Sequence, residues 1–173
     1  LKEIPLLGGE KAILEPWRLV AAWFNFDGSI DKKHLLKKIY QSGINSPLAS
    51  SMGRLFDAAG SLVLGKREAN FEAELAIGLE KLAAGNTLKN SFNLAKSKGG
   101  YILDPTRIFK QILADLKTNS PRENIAWRFH QSIAEMIIKT SLALRRENKI
   151  NKVVLSGGVF QNKLLHLDNL IIL

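Results

Sequence analysis

The sequence contains no cysteine, which removes disulfides, thiolate nucleophiles and thiolate metal ligands and suits a reducing compartment. Histidine is scarce too. His34, His130 and His166 lie far apart with no ligand spacing, so a zinc site within the chain is not expected. No window approaches the roughly twenty uninterrupted apolar residues that a membrane helix requires. The opening residues, Leu1 to Glu10, carry acids and glycines where a signal peptide needs a basic patch and an apolar run. These absences predict a soluble, non-exported, cytoplasmic protein.

What is present is ordinary for a folded domain: 173 residues, 46% of them hydrophobic and 24% charged, enough to bury a real core. Lys and Arg number 25 against 16 Asp and Glu, a formal net charge of +9 that favours anionic partners. The basic pairs Lys32-Lys33, Lys37-Lys38 and Arg145-Arg146 read as solvated helix faces. No aromatic residues interleave with them as a single-stranded nucleic-acid platform would need, so nucleic acid is not the expected partner.

Apolar spacing divides the chain mostly into helices. Pro16 opens one with Trp17, Val20, Ala21 and Phe24 on a face, stopped by Gly28, and a shorter one covers about Lys32 to Tyr40. "SSMGRLFDAAGSLVLG" sets Met52, Leu55, Phe56, Ala59 and Leu62 at helical spacing, leaves Arg54 and Asp57 off that face, and ends at a capping Gly65. "NFEAELAIGLEKLAAG" aligns Phe71, Leu75, Leu79 and Leu82 before Gly85. A short hairpin is expected from Ser91 to Leu103, then a helix capped by Asp104 with Ile108, Phe109, Ile112, Leu113 and Leu116 buried.

The longest helix starts at "SPRE", a capping box of Ser120 and Glu123, and sets Ile125, Phe129, Ile133, Met136, Ile137 and Leu144 along its apolar face. Trp127 reads as core. His130 reads as a hydrogen-bonded packing residue and not as a general base. Lys152 to Leu155, apolar from Val153 onward, is expected to be a buried parallel strand, and "SGGVFQN" breaks it into a turn and another helical segment. The fold class is therefore α/β with a large helical part.

Gly157 and Gly158 allow positive φ and close approach of a ligand, and the amides of a following helix start present partial positive charge. Asn162 adds an amide with donor and acceptor groups. The turn lacks the Gly-Lys-Ser/Thr of a Walker loop and the spacing of a dinucleotide fingerprint. By itself it fits either a nucleotide contact or a plain strand-to-helix turn.

Several stretches in fixed order resemble one family, the hydrogenase-maturation carbamoyltransferases HypF, in their C-terminal domain. They are "PLLGGEKAILEPWRL", "SPLASSMGRLFDAAGSLVLG", "FEAELAIGLE", "LDPTRIFKQILADL", "RFH" and "LSGGVFQNKLL". The resemblance implies part of an actin-like ATPase (ASKHA) fold, mostly its second lobe with a helical insertion, related to the tRNA threonylcarbamoyl transferases. On that reading the 173 residues are a partial carbamoyl-transfer domain, 1–148 mainly helical with a short hairpin and 149–173 a strand, Gly-Gly turn and helix. Carried over, Gly53, Asp57, Ser156, Gly157, Gly158 and Asn162 would bind nucleotide, with Arg54 able to meet a phosphate.

The resemblance also implies ATP with magnesium and carbamoyl phosphate as substrates, carbamoyl adenylate as intermediate, and the C-terminal cysteine of HypE as acceptor, on the way to the cyanide ligand of a [NiFe] centre. It identifies no catalytic side chain here. The family's histidine-rich motif, its later aspartate-glycine metal motif and its zinc-finger modules have no counterpart in this sequence, so a further metal ion and zinc would be held elsewhere and the piece alone is expected to be inactive. Where the family has Tyr-Glu-Gly-Gln, this chain has Phe71-Glu72-Ala73-Glu74. Two rival readings stand beside this one: a tRNA threonylcarbamoyl transferase relative, whose turn runs closer to Gly-Gly-Val-Ala-Ala-Asn, and a basic non-catalytic module binding RNA or protein.

Overall fold

A computed structural model describes residues 1–24, 33–83, 93–97 and 100–166. The chain divides into two compact units, Leu1–Leu79 and Glu80–Leu173. Among the described residues no helix is long and apolar enough to cross a membrane.

In the first unit, strand β1 (Ile4–Pro5) leads to helices α1 (Lys11–Leu14), α2 (Trp17–Trp23) and α3 (Lys33–Ser42), then strand β2 (Leu48–Ala49) and helix α4 (Met52–Leu64). β1 and β2 pair antiparallel, Ile4 opposite Ala49. Helix α5 (Glu74–Leu82) comes next, with the boundary between the units falling inside it. The core gathers Leu19, Ala21, Leu55, Phe56, Ala59, Val63, Leu75 and Leu79, all essentially without exposure.

α4 ends where its sequence predicts, and its start is capped as well. The Ser51 hydroxyl accepts from the Arg54 amide, and Gly65 takes the left-handed conformation at φ 70°, which a Cβ would disfavour. Its packed surface is wider than the spacing implied, because Asp57 is only 4% exposed and does not lie off the buried face. α5 comes close to the same helix: a Cβ on Gly60 would stand 2.8 Å from both the Cβ and the carbonyl oxygen of Leu75, and one on Gly78 2.8 Å from a methyl of Leu64. Phe71, expected on one helical face with Leu75 and Leu79, is exposed and precedes α5. Gly28 and Gly85 lie outside the described residues.

In the second unit, strands β3 (Asn93–Ser97) and β4 (Gly100–Asp104) form the predicted hairpin, with Asn93 opposite Asp104. Helices α6 (Thr106–Lys117) and α7 (Arg122–Asn148) pack through Ile108, Phe109, Ile112, Ile125, Phe129, Ile133 and Met136. Pro105, and not Asp104, holds the cap position of α6; Asp104 lies one residue outside, where its Oδ1 accepts from the Thr106 amide at 2.9 Å. The capping box of α7 does not form. Pro121 holds the cap position in an extended conformation, which leaves Ser120 one residue outside, where its hydroxyl meets Thr118 instead.

The larger correction concerns Lys152 to Leu155, which is not a strand among the described residues. Val153 is 48% and Val154 89% exposed. An apolar run records a tendency toward burial, but a strand exists only where a neighbour supplies the ladder, and none of the described strands pairs with this segment. A short 3-10 turn (Gly158–Gln161) and helix α8 (Lys163–His166) complete the described chain.

Candidate functional site

Two sets of predicted residues lie in different units. On α4, Gly53, Arg54 and Asp57 fall within the first two turns. Nη1 of Arg54 lies 2.9 Å from Oδ2 of Asp57, with both side chains largely covered. The angle misses hydrogen-bond alignment, so this buried Nη1 has no hydrogen-bond acceptor among the described residues. Burial pushes the Asp57 carboxyl up to about 6, outweighing the opposing attraction of Arg54, and the negative charge of Glu72 adds to the rise. A carboxyl held this way is costly to the fold, as groups kept for binding or chemistry often are. At Gly53 an added Cβ would meet only the Ser51 hydroxyl at 3.5 Å, an ordinary contact, so packing does not require a glycine there.

The loop before α5 supplies a neighbour that the sequence did not reveal. Glu74 accepts from Lys66 Nζ at 2.7 Å and from the Asn70 amide at 2.6 Å, pinning the loop, and these bonds draw its carboxyl below the ordinary value. Ala73 stands at φ 63°, in the left-handed region. The residue types in "FEAE" gave no sign that the Glu72 charge would act on Asp57, since that depends on how the loop closes.

The second set is the turn. Ser156, Gly157 and Gly158 are exposed, and a Cβ at either glycine would meet nothing within 4 Å. Gly157 adopts φ 103°, ψ 157°, a region open in practice to glycine alone. The chain continues from it as a 3-10 turn and not as the first turn of an α-helix, so the amide array assumed from the sequence is replaced by a shorter one.

Asn162 is placed differently from the expectation of a side chain facing ligand. It is only 8% exposed, its Nδ2 donates to Nε2 of His130 at 3.0 Å, and its Oδ1 accepts from the Leu164 amide at 3.0 Å. His130, fully buried, donates from Nδ1 to the Ala126 carbonyl at 2.7 Å, as a hydrogen-bonded packing residue should. Burial holds this imidazole below its ordinary pKa, against the Ala126 bond and the Glu80 charge. Glu80 on α5 also accepts from the Lys163 amide at 2.8 Å. The exposed turn is thus tied down from behind by α5 and α7.

Among the described residues no group of three or more His, Cys, Asp or Glu is arranged to hold a metal ion. The open surface of the turn, free of Cβ obstruction, can accept a flat or phosphorylated ligand against backbone.

A family profile described as the second subdomain of the Kae1-like domain of carbamoyltransferase matches residues 1–170. The chain belongs to the HypF carbamoyltransferase family. It is 31% identical to carbamoyltransferase HypF of Rhodobacter capsulatus over 95% of its own length, and 29% identical to a HypF homolog of Cupriavidus necator. It spans 23% of the first protein and 47% of the second. Among solved structures, a full-length HypF in the phosphate- and nucleotide-bound form superposes with a TM-score of 0.89 at 33% identity, covering 95% of this chain and 28% of that one. HypF of T. kodakarensis superposes at 0.80 with 27% identity. The fold is accordingly mixed α/β, mostly helical, and corresponds to part of a Kae1-like fold, and the family is one of hydrogenase maturation.

Proposed function

We propose that this chain serves as part of an ATP-dependent carbamoyltransferase that activates carbamoyl phosphate as carbamoyl adenylate and passes the carbamoyl group to the C-terminal cysteine of HypE. The observation that carries the reading is the turn at Gly157–Gly158: exposed, unobstructed where a Cβ would stand, and fixed from behind by Asn162. Support comes from its likeness to a HypF whose crystals hold phosphate and nucleotide. Gly53, Arg54 and Asp57 are assigned to nucleotide contact by the same reading, with the under-used Nη1 of Arg54 as the group for a phosphate.

Positioning and charge stabilisation dominate such chemistry, and a protein nucleophile is not needed. Magnesium would arrive with the nucleotide, and a further metal ion would be held by motifs outside these residues. The chain alone is read as inactive.

Calorimetric titration of the full-length protein with ATP and magnesium tests the assignment. Gly158→Val should weaken binding by about a hundredfold through steric exclusion, with the melting temperature unchanged. Unaltered affinity would remove the turn from the site.

A further inference from the structure

The turn carries the proposed ligand surface, yet its geometry is decided by a residue with no exposure at all. His130 uses both ring nitrogens. A carbonyl can only accept, so the bond to Ala126 at 2.7 Å fixes the proton on Nδ1 and leaves Nε2 with its lone pair bare. That lone pair faces Asn162 Nδ2 at 3.0 Å and therefore dictates which end of the amide is nitrogen. The oxygen end is then directed to the Leu164 amide at 3.0 Å.

The chain of bonds has one consistent polarity: Asn162 donates to His130, His130 donates to Ala126, and Leu164 donates to Asn162. Reversing the Asn162 amide would set its NH2 against the Leu164 N–H and leave two donors facing each other. A ring carrying its proton on Nε2 would force that reversal or break the contact. The carbonyl of Asn162 accepts from Leu165, and its own amide donates to the Val159 carbonyl, so this one residue is linked to the backbone inside the 3-10 turn and just after it.

We propose that His130 is a positioning residue for the nucleotide surface, acting through Asn162 to hold the Gly157–Gly158 turn in its receptive geometry from α7. This inference rests on the nucleotide reading of the turn. It assigns His130 no contact with substrate and no proton transfer.

The test uses two variants of the full-length protein and one spectroscopic signature. His130→Phe keeps a planar ring of similar size without an acceptor, whereas His130→Gln can present an oxygen near the position of Nε2. ATP with magnesium should bind the Phe variant about tenfold more weakly. The Gln variant should recover to within about threefold of the parent. Ring 15N signals of His130 in the parent should report a neutral imidazole protonated on Nδ1.

Equal affinity in the parent and the Phe variant overturns the positioning role while leaving the nucleotide site intact. A Gln variant as weak as Phe reduces His130 to a packing residue and also overturns it. Should the Phe variant fail to fold, the ring signals decide, because a proton on Nε2 contradicts the bond to Asn162. A parent protein that binds no ATP sinks the nucleotide reading itself, and this inference with it.

Discussion

Gly60 on α4 and Gly158 in the turn are both glycines beside predicted nucleotide contacts, but their surroundings are opposite. At Gly60 the missing side chain is filled by the backbone and Cβ of Leu75, 2.8 Å from where a Cβ would stand. Nothing described comes within 4 Å of the same point on Gly158. The first glycine exists so that two helices can touch. The second has no packing reason to be glycine, and the space it leaves is available to something other than this chain.

The sharpest way to break that comparison is to add one methyl group at the packed site. Gly60→Ala should destabilise the protein by about 3 kcal/mol, because the obstacle includes a backbone carbonyl that cannot swing aside. Chemical denaturation measures the loss. If Gly60→Ala and the Gly158→Val variant used for titration lower stability equally, the distinction between a packing glycine and a ligand glycine fails.

A second contrast lies within α4, between its apolar contacts and Asp57. The folded state raises this carboxyl from 3.8 to about 6, so the fold binds its proton more tightly than the unfolded chain does. The associated stability is present in full below the ordinary pKa and is lost as pH rises from about 4 through 6. Two units correspond to a loss on the order of 2 to 3 kcal/mol. Asp57→Asn should match the parent near pH 4 and exceed it in stability near pH 8, even though Arg54 loses its partner. Parallel denaturation curves at the two pH values decide it, and a parent more stable than the variant at pH 8 would show that the ion pair outweighs burial.

These contrasts mark where the sequence could be read and where it could not. The C-terminal end of α4 was legible because Gly65 acts on its own neighbours, and the hairpin at Asn93–Asp104 was legible for the same reason. Burial of Asp57 was not, since it depends on what the rest of the unit packs against α4. The segment at Val153 and Val154 misled because periodicity reports the residue's preference and not the presence of a partner strand. For the site, the glycine turn was visible as a motif, but the commitment of Asn162 to His130 spans 32 positions of sequence and leaves no local trace.

Ala73 combines both kinds of information and carries the smallest expected effect. It stands where the family's motif has glycine, and its φ of 63° places a Cβ-bearing residue in the left-handed region. That conformation costs about 1 kcal/mol relative to an ordinary one. Glycine would relieve it while giving back part of the gain through a more flexible unfolded chain. Ala73→Gly should therefore raise stability by at most about 1 kcal/mol, with the Lys66–Glu74 and Asn70–Glu74 bonds unchanged. Thermal denaturation measures it. A clear loss would mean that the loop carrying Glu72 toward Asp57 is held by those bonds so firmly that backbone strain at Ala73 does not count, and that the added freedom of glycine in the unfolded chain decides the sign.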